Sequence, residues 1–248
     1  MVAQAGPESA RDIAVRLQDL VLYSSDVEEF LSELAGLSSS WFSAPGRTVH
    51  CGITLLRRKK SATIASSDAQ AHELDEIQLA FRDGPCLTAM ERMETILVPD
   101  LAKEHRWPDY VAAASGHGIR SILAVPLAVE GETKAALNLF ASQPHAFSSQ
   151  DIDDAGSYAE NASKTLRLAL RIAHLTDARN NLTAAMVSRT TIDVATGIIM
   201  AQNRCSQESA FKILRSASNT RNVKLRDVAT RIVDSVSEGQ PLTTYFDE

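Results

Sequence analysis

Three cysteines in 248 residues leave little material for a disulfide framework. Cys51, Cys86 and Cys205 are odd in number, far apart, and form no CxxC pair, so a reducing compartment is expected. No uninterrupted apolar run reaches the roughly 18 to 20 residues of a membrane span. The opening MVAQAGPESARDIA lacks the basic segment and apolar stretch of a signal peptide. A cytoplasmic protein with no membrane partner is therefore expected. His50, His72, His105 and His117 do not fall at a metal-ligand spacing, and no metal is expected. Glu73, Asp75 and Glu76 read as the acidic face of a helix start rather than as paired catalytic carboxylates. The formal net charge of −6 argues against uniform coating of a nucleic acid or an anionic membrane. No proline occurs between Pro144 and Pro241, so a long helix can run there unbroken.

What is present begins with two amphipathic helices. Ile13, Leu17, Leu20 and Val21 form one apolar stripe; Val27, Phe30, Leu31, Leu34 and Leu37 form the next. The period then changes. Residues 49–56 and 61–65 read as strands, with RRKK at 57–60 as a polar hairpin tip. Short helices are expected at 72–81 and 86–93 around the Asp83-Gly84-Pro85 break, a short strand at 95–98, and a helix at 107–115 with Trp107 as a packing anchor. Residues 121–129 and 133–140, joined by Glu130-Gly131-Glu132, predict a final hairpin. Helices, hairpin, short helices and hairpin in that order predict an α+β fold with an antiparallel sheet.

From Ser148 a long helical pattern begins, with SSQD as its cap. Leu168, Ile172, Leu175, Leu182 and Met186 keep a 3-4 spacing interrupted at Arg179, which suits either a coiled-coil seam across a homodimer or one amphipathic helix packed on its own domain. Two more helices follow, one from Ser206 with Ala210, Phe211, Leu214 and Ala217, and one from Lys224 with Leu225, Val228, Ala229, Ile232 and Val233. Between Arg179 and Arg231 there are nine Arg or Lys against three Asp or Glu. A basic helical module on an acidic chain points to nucleic acid, and a solubilising basic face gives the same count.

These last residues resemble an ANTAR domain, the three-helix RNA-binding output module of bacterial transcription antiterminators. The matching elements are Arg189, Ile192, Ala195-x-Gly197-Ile198-Ile199-Met200, Ala210-Phe211, Leu214-Arg215, Ser218 and Lys224-Leu225-Arg226-Asp227-Val228-Ala229. The preceding segment resembles a GAF sensor domain, in the form coupled to ANTAR modules in actinobacteria. It matches at Leu74-Asp75-Glu76-Ile77-Gln78, Asp83-Gly84-Pro85-Cys86-Leu87, Asp100, Trp107-Pro108, Gly118-Ile119-Arg120-Ser121, Val125-Pro126-Leu127 and Ala136-Leu137-Asn138-Leu139. Ala135 stands where the family commonly has glycine, and Lys134 where it has an apolar residue. The resemblance implies a GAF-like antiparallel sheet with flanking helices, a long connecting helix and an ANTAR-like three-helix bundle. The expected division is 8–165 for the sensor with its N-terminal helices, 166–238 for the RNA-binding domain with the connecting helix, and 239–248 for a flexible tail.

The implied function is a non-enzymatic, signal-responsive antiterminator that binds a hairpin in a nascent transcript, requires no cofactor, and senses a small ligand, redox state or upstream signalling protein. Arg189, Arg204, Lys212, Arg215, Arg221, Lys224, Arg226 and Arg231 are its RNA-contact candidates, with internal pairs to Asp193, Glu208 or Asp227 as the bland alternative. Phe211 and Met200 are core residues or part of an exposed base-contacting surface. Ala195, Gly197, Met200, Ala210, Leu214 and Ala229 form the structural motif, and Gly197 is expected to permit close helix approach. Cys86, following a Gly-Pro turn at a helix start, is either a sensor thiol or a buried structural cysteine, and would be the nucleophile of any enzyme. A ligand sensor whose C-terminal helices dock a regulatory protein is the alternative function.

Overall fold

The computed structural model describes residues 10–57 and 62–236. The segment 1–7, the RRKK tip beyond Arg57, and the tail from Gly239 lie outside the described residues. The chain divides into two compact units between Ala173 and His174.

The first unit is built on five strands: β1 (Val49–Leu56), β2 (Thr63–Ser66), β3 (Ile96–Val98), β4 (Ser121–Leu127) and β5 (Lys134–Ala141). Their order is β2-β1-β5-β4-β3, and every neighbouring pair is antiparallel. The alternation of side chains along each strand sorts residues onto two faces. Cys51, Ile53 and Leu55 of β1, with Leu137 and Leu139 of β5, join one core. Helices α1 (Ala10–Tyr23) and α2 (Val27–Phe42) and the start of α6 (Ser149–Asn203) complete it through Ile13, Leu17, Phe30, Leu34, Tyr158 and Leu166. Burial of each such side chain contributes about 1.5–3 kcal/mol. Ala135 belongs to this core and pairs with Leu55 and Leu127 in the ladders, while Lys134 is exposed.

The opposite face carries Gly52, Thr54, Ala136, Asn138, Phe140, Ile122 and Ala124. It is covered by α3 (Ala69–Phe81), α4 (Pro85–Arg92) and α5 (Pro108–Ala114). Asp68 caps α3 by accepting from the Ala71 N–H. Pro85 occupies the first turn of α4, where its missing N–H costs nothing. Trp107 is buried in this layer and donates from Nε1 to Thr88 Oγ1 at 3.0 Å.

Ser148 and Asp151 start α6 with a reciprocal cap: the Asp151 N–H donates to Ser148 Oγ at 3.2 Å, and the Ser148 N–H donates to Asp151 Oδ2 at 2.8 Å. Arg47 also donates to Asp151 Oδ1 at 2.8 Å. Burial alone would raise the Asp151 pKa, but the bonds from Arg47 and Ser148 override it and hold the carboxyl down at about 2. Among the described residues, α6 is the one helix long and apolar enough to cross a membrane by length and average composition, although no uninterrupted run does so. Arg167, Arg171, Arg179 and Arg189 are spread along it, and Ala195 and Ile199 belong to a protein core.

The second unit packs the end of α6 with α7 (Gln207–Arg221) and α8 (Leu225–Asp234). Its core is Ala195, Ile199, Ala210, Leu214, Val228, Ala229 and Val233. Ser206 caps α7 by accepting from the Ser209 N–H, and Asn222 closes it in the left-handed conformation that Asn tolerates.

Candidate functional site

The small core of the second unit determines which side chains remain for a partner. Ala210 and Leu214 point α7 inward, so Phe211, Lys212 and Arg215 face outward. Phe211 is 39 % exposed and therefore lies on the surface. It sits four residues before Arg215, which places an aromatic ring and a guanidinium on neighbouring parts of one helix face. Met200 is partly buried against the core.

All the predicted cationic contacts are exposed. Three have intrahelical partners: Arg189 with Asp193 at 3.8 Å, Lys212 with Glu208 at 2.7 Å, and Arg226 with Asp227 at 3.3 Å. Exposed pairs of this kind are worth about 0–1 kcal/mol, so a phosphate can compete for these cations. Among the described residues no ion pair engages Arg204, Arg215, Arg221, Lys224 or Arg231. Arg204 occupies the left-handed corner before α7, and Lys224 stands at the start of α8, where no side chain caps the free N–H groups. Among the described residues, the arrangement offers separate cations and one accessible aromatic. It can bind a polyanion with unpaired bases.

Gly197 does not play its expected part. Its position is exposed, and an added Cβ would meet nothing within 4 Å. The close approach is made instead by Ala195, Ala210 and Ala229, all fully buried.

The first unit holds a polar cluster that sequence reading misplaced. Asp75 is not part of an exposed acidic face. It is 1 % exposed and shares the inward side of α3 with Ala71, Leu74 and Gln78. Asn138 Nδ2 donates to Asp75 Oδ1 at 2.8 Å, and Gln78 Nε2 donates to the same oxygen at 3.3 Å. Gly52, the cross-strand partner of Asn138, makes room for the carboxyl: a Cβ there would lie 1.9 Å from Asp75 Oδ2. Burial pushes the Asp75 pKa up to about 8 against the opposing bonds from Asn138 and Gln78. The spacing of 71, 74, 75 and 78 was the available signal for an inward Asp75, because those positions share one helix face.

Cys86 is buried beside this cluster, and its N–H donates to Gln78 Oε1 at 2.8 Å. Burial drives its thiol pKa far up, and the charge of Asp75 adds to the shift, so the helix start does not activate it. The thiol is buried and protonated in this conformation. Cys51, on the other sheet face, is likewise raised by burial.

A GAF domain family model matches residues 24–167, more than half of the chain, and an ANTAR domain model matches residues 180–233. The chain belongs to the GAF domain family and carries an ANTAR domain. The buried cluster thus lies in the GAF domain, and the exposed cations from Arg189 to Arg231 lie in the ANTAR domain. This architecture is that of a signal-responsive regulator with an RNA-binding output.

Solved structures are similar to the first part of the chain, and the two at a TM-score of 0.50 share its fold. The GAF domain of a phosphoenolpyruvate-protein phosphotransferase from Coxiella burnetii is 15% identical with a TM-score of 0.50, over 70% of this chain and 99% of that one. The N-acylhomoserine lactone dependent LuxR family transcription factor CepR2 from Burkholderia cenocepacia is 11% identical with a TM-score of 0.50, over 67% and 98%. The free methionine-R-sulfoxide reductase from Neisseria meningitidis is 19% identical with a TM-score of 0.48, over 69% and 96%. No match was found among curated proteins.

Proposed function

We propose that this protein is a cytoplasmic, non-enzymatic transcription antiterminator whose ANTAR domain binds a hairpin in nascent leader RNA under control of its GAF domain. The observation that carries this reading is the α7 surface, where Phe211, Lys212 and Arg215 stand outward on a core of buried alanines and Leu214. Phe211 stacks on an unpaired loop base, while the cations neutralise phosphates. Bound hairpin would hold the transcript away from a competing terminator fold.

The working form is a homodimer. Leu168, Ile172, Leu175, Leu182 and Met186 recur at coiled-coil spacing on α6 and are 43–64 % exposed, apolar surface that a second copy would cover. The GAF domain receives a small ligand or an upstream signalling protein, and α6 carries the change to the output helices.

The test uses the full chain with a pool of leader hairpins at low and high salt. Affinity should fall steeply as salt rises, and Lys212→Ala/Arg215→Ala should lower both affinity and salt slope. Absence of hairpin binding at low salt overturns the reading. Intact RNA binding in that double variant, with loss of a captured regulatory protein, would make the basic face a protein dock instead.

A further inference from the structure

Among the described residues, five buried oxygens of the GAF domain lack a hydrogen-bond partner: Ser66 Oγ on β2, and a group of four, Asp75 Oδ2, Asn138 Oδ1, Thr54 Oγ1 and the Tyr110 hydroxyl. The four belong to side chains from β1, β5, α3 and α5 that meet over one face of the sheet. Asp75 and Asn138 are bonded directly. Thr54 and Asn138 both come within reach of the Cys86 thiol, a weak hydrogen-bonding group that does not satisfy their oxygens geometrically, and Tyr110 lies near Asp75 and Cys86. Folded proteins leave few buried polar atoms unpaired, so four in one neighbourhood need an explanation.

Acceptors predominate among the four: Asn138 Oδ1 and an ionised Asp75 Oδ2 only accept, while the Thr54 and Tyr110 hydroxyls can accept as well as donate. Among the described residues no Lys, Arg or His side chain is bonded to the Asp75–Asn138 pair. The titratable groups on this face near Asp75 are Cys86 and Tyr110, with Cys51 behind the sheet, and none of them can be positive. Such a site repels anions and receives N–H donors. One carboxyl group balances a single positive charge and is poorly matched to a divalent ion, which gathers more oxygens and more charge. Phe140 belongs to the same layer as Tyr110 and supplies aromatic surface that tolerates a cation.

We propose that this oxygen cluster is the ligand site of the GAF domain and that its ligand is a small organic cation, a protonated primary amine. The proposal rests on the sensor reading of that domain. The ammonium N–H groups donate to Asp75 and Asn138 and to the Thr54 or Tyr110 hydroxyl. Asp75 enters the complex as a carboxylate, and its proton leaves to solvent. An amine thereby gives the buried acid the counter-charge that the protein itself does not provide.

The test is ligand-dependent thermal stabilisation of the full-length protein by methylammonium, ethylammonium and propylammonium chlorides. Acetamide, sodium acetate and potassium chloride are the comparisons at constant ionic strength. The melting temperature followed by tryptophan fluorescence should rise with amine concentration and not with the comparisons. Calorimetry in two buffers of different ionisation enthalpy should find release of about one proton per amine below pH 7, with binding about tenfold weaker for each pH unit below about 8. Asp75→Asn, which keeps the size of the side chain, should abolish the shift, and Thr54→Val should weaken it. No shift with any amine overturns the site, as does a shift that survives in Asp75→Asn or is matched by acetate or potassium. Hairpin affinity measured with and without amine separates the two claims. Amine binding that leaves RNA affinity unchanged keeps the site but removes its role as the sensor input.

Discussion

Replacing Asp75 with Asn should change how the stability of the GAF domain depends on pH. The folded protein raises this carboxyl from an ordinary value of 3.8 to about 8, chiefly by burial. Between those values the folded chain holds a proton that the unfolded chain has released. The contribution is therefore fully present below about pH 4 and is lost as pH rises, levelling off above about pH 8. At about 1.4 kcal/mol per unit, the full span is an upper bound of roughly 6 kcal/mol, and the part between pH 5 and pH 7 is roughly 3 kcal/mol. That is a large share of the 5–15 kcal/mol that typically holds a protein folded. The amide introduced by Asp75→Asn would still accept from Asn138 and Gln78 but could not ionise. Among the described residues with displaced ionisation, Asp75 alone titrates between pH 5 and about 8. Urea unfolding at successive pH values, followed by tryptophan fluorescence, isolates the effect, because Trp41 and Trp107 are the only tryptophans and both lie in the first unit. Wild-type stability should fall by roughly 3 kcal/mol from pH 5 to pH 7 while the variant stays flat. A wild-type curve that is level or rising over that range, or an equal slope in the variant, would refute the buried-acid account.

Three other substitutions probe separate parts of the fold. Gly52→Ala puts a Cβ 1.9 Å from Asp75 Oδ2 and should cost about 2–3 kcal/mol, relieved in the Gly52→Ala/Asp75→Ala double variant when both are compared by urea unfolding. Gly197→Ala meets open space on an exposed helix position and should stabilise the ANTAR domain by about 1 kcal/mol; a lower helix melting temperature by circular dichroism would contradict this. Asp151→Asn removes a carboxylate held at about 2, whose contribution is present above about pH 4 and lost as pH falls through about 2. It should cost about 2 kcal/mol at pH 7 and raise the pH midpoint of acid unfolding, which a fluorescence titration would report.

Much of the architecture was legible because periodicity and punctuation agree. The final hairpin has two apolar strands around Gly131, which has a φ of 70°, and the structure pairs Leu127 with Ala135 across it. Asp26 and Ser206 cap the helices they precede. Boundaries differ where a cap lies further upstream than the apolar pattern suggests: α3 starts after Asp68 rather than at His72. The cations were legible as a set, since an exposed face tolerates charge wherever the apolar stripe is absent. Asp75 was not. A lone acid at an inward helix position looks like its neighbours Glu73 and Glu76 until the partner strand supplies Asn138 and the space at Gly52. Gly197 failed for the opposite reason. A glycine between buried residues suggests crowding, but whether its missing Cβ faces a helix or open space depends on where the other helices lie.

One helix supplies side chains to two cores. Tyr158, Ala159, Ala162 and Leu166 of α6 complete the first, and Ala195 and Ile199 complete the second. No loop separates these contributions, since α6 runs unbroken from Ser149 to Asn203. A GAF domain joined this way cannot be exchanged at a flexible linker. Any recombination must splice inside a helix, where each added residue turns the downstream segment by about 100°. Insertions of seven residues preserve the apolar row from Leu168 to Met186, while a single residue breaks its phase. The join between sensor and output is therefore counted in residues and heptads, and its length is as much a part of the encoded message as its sequence.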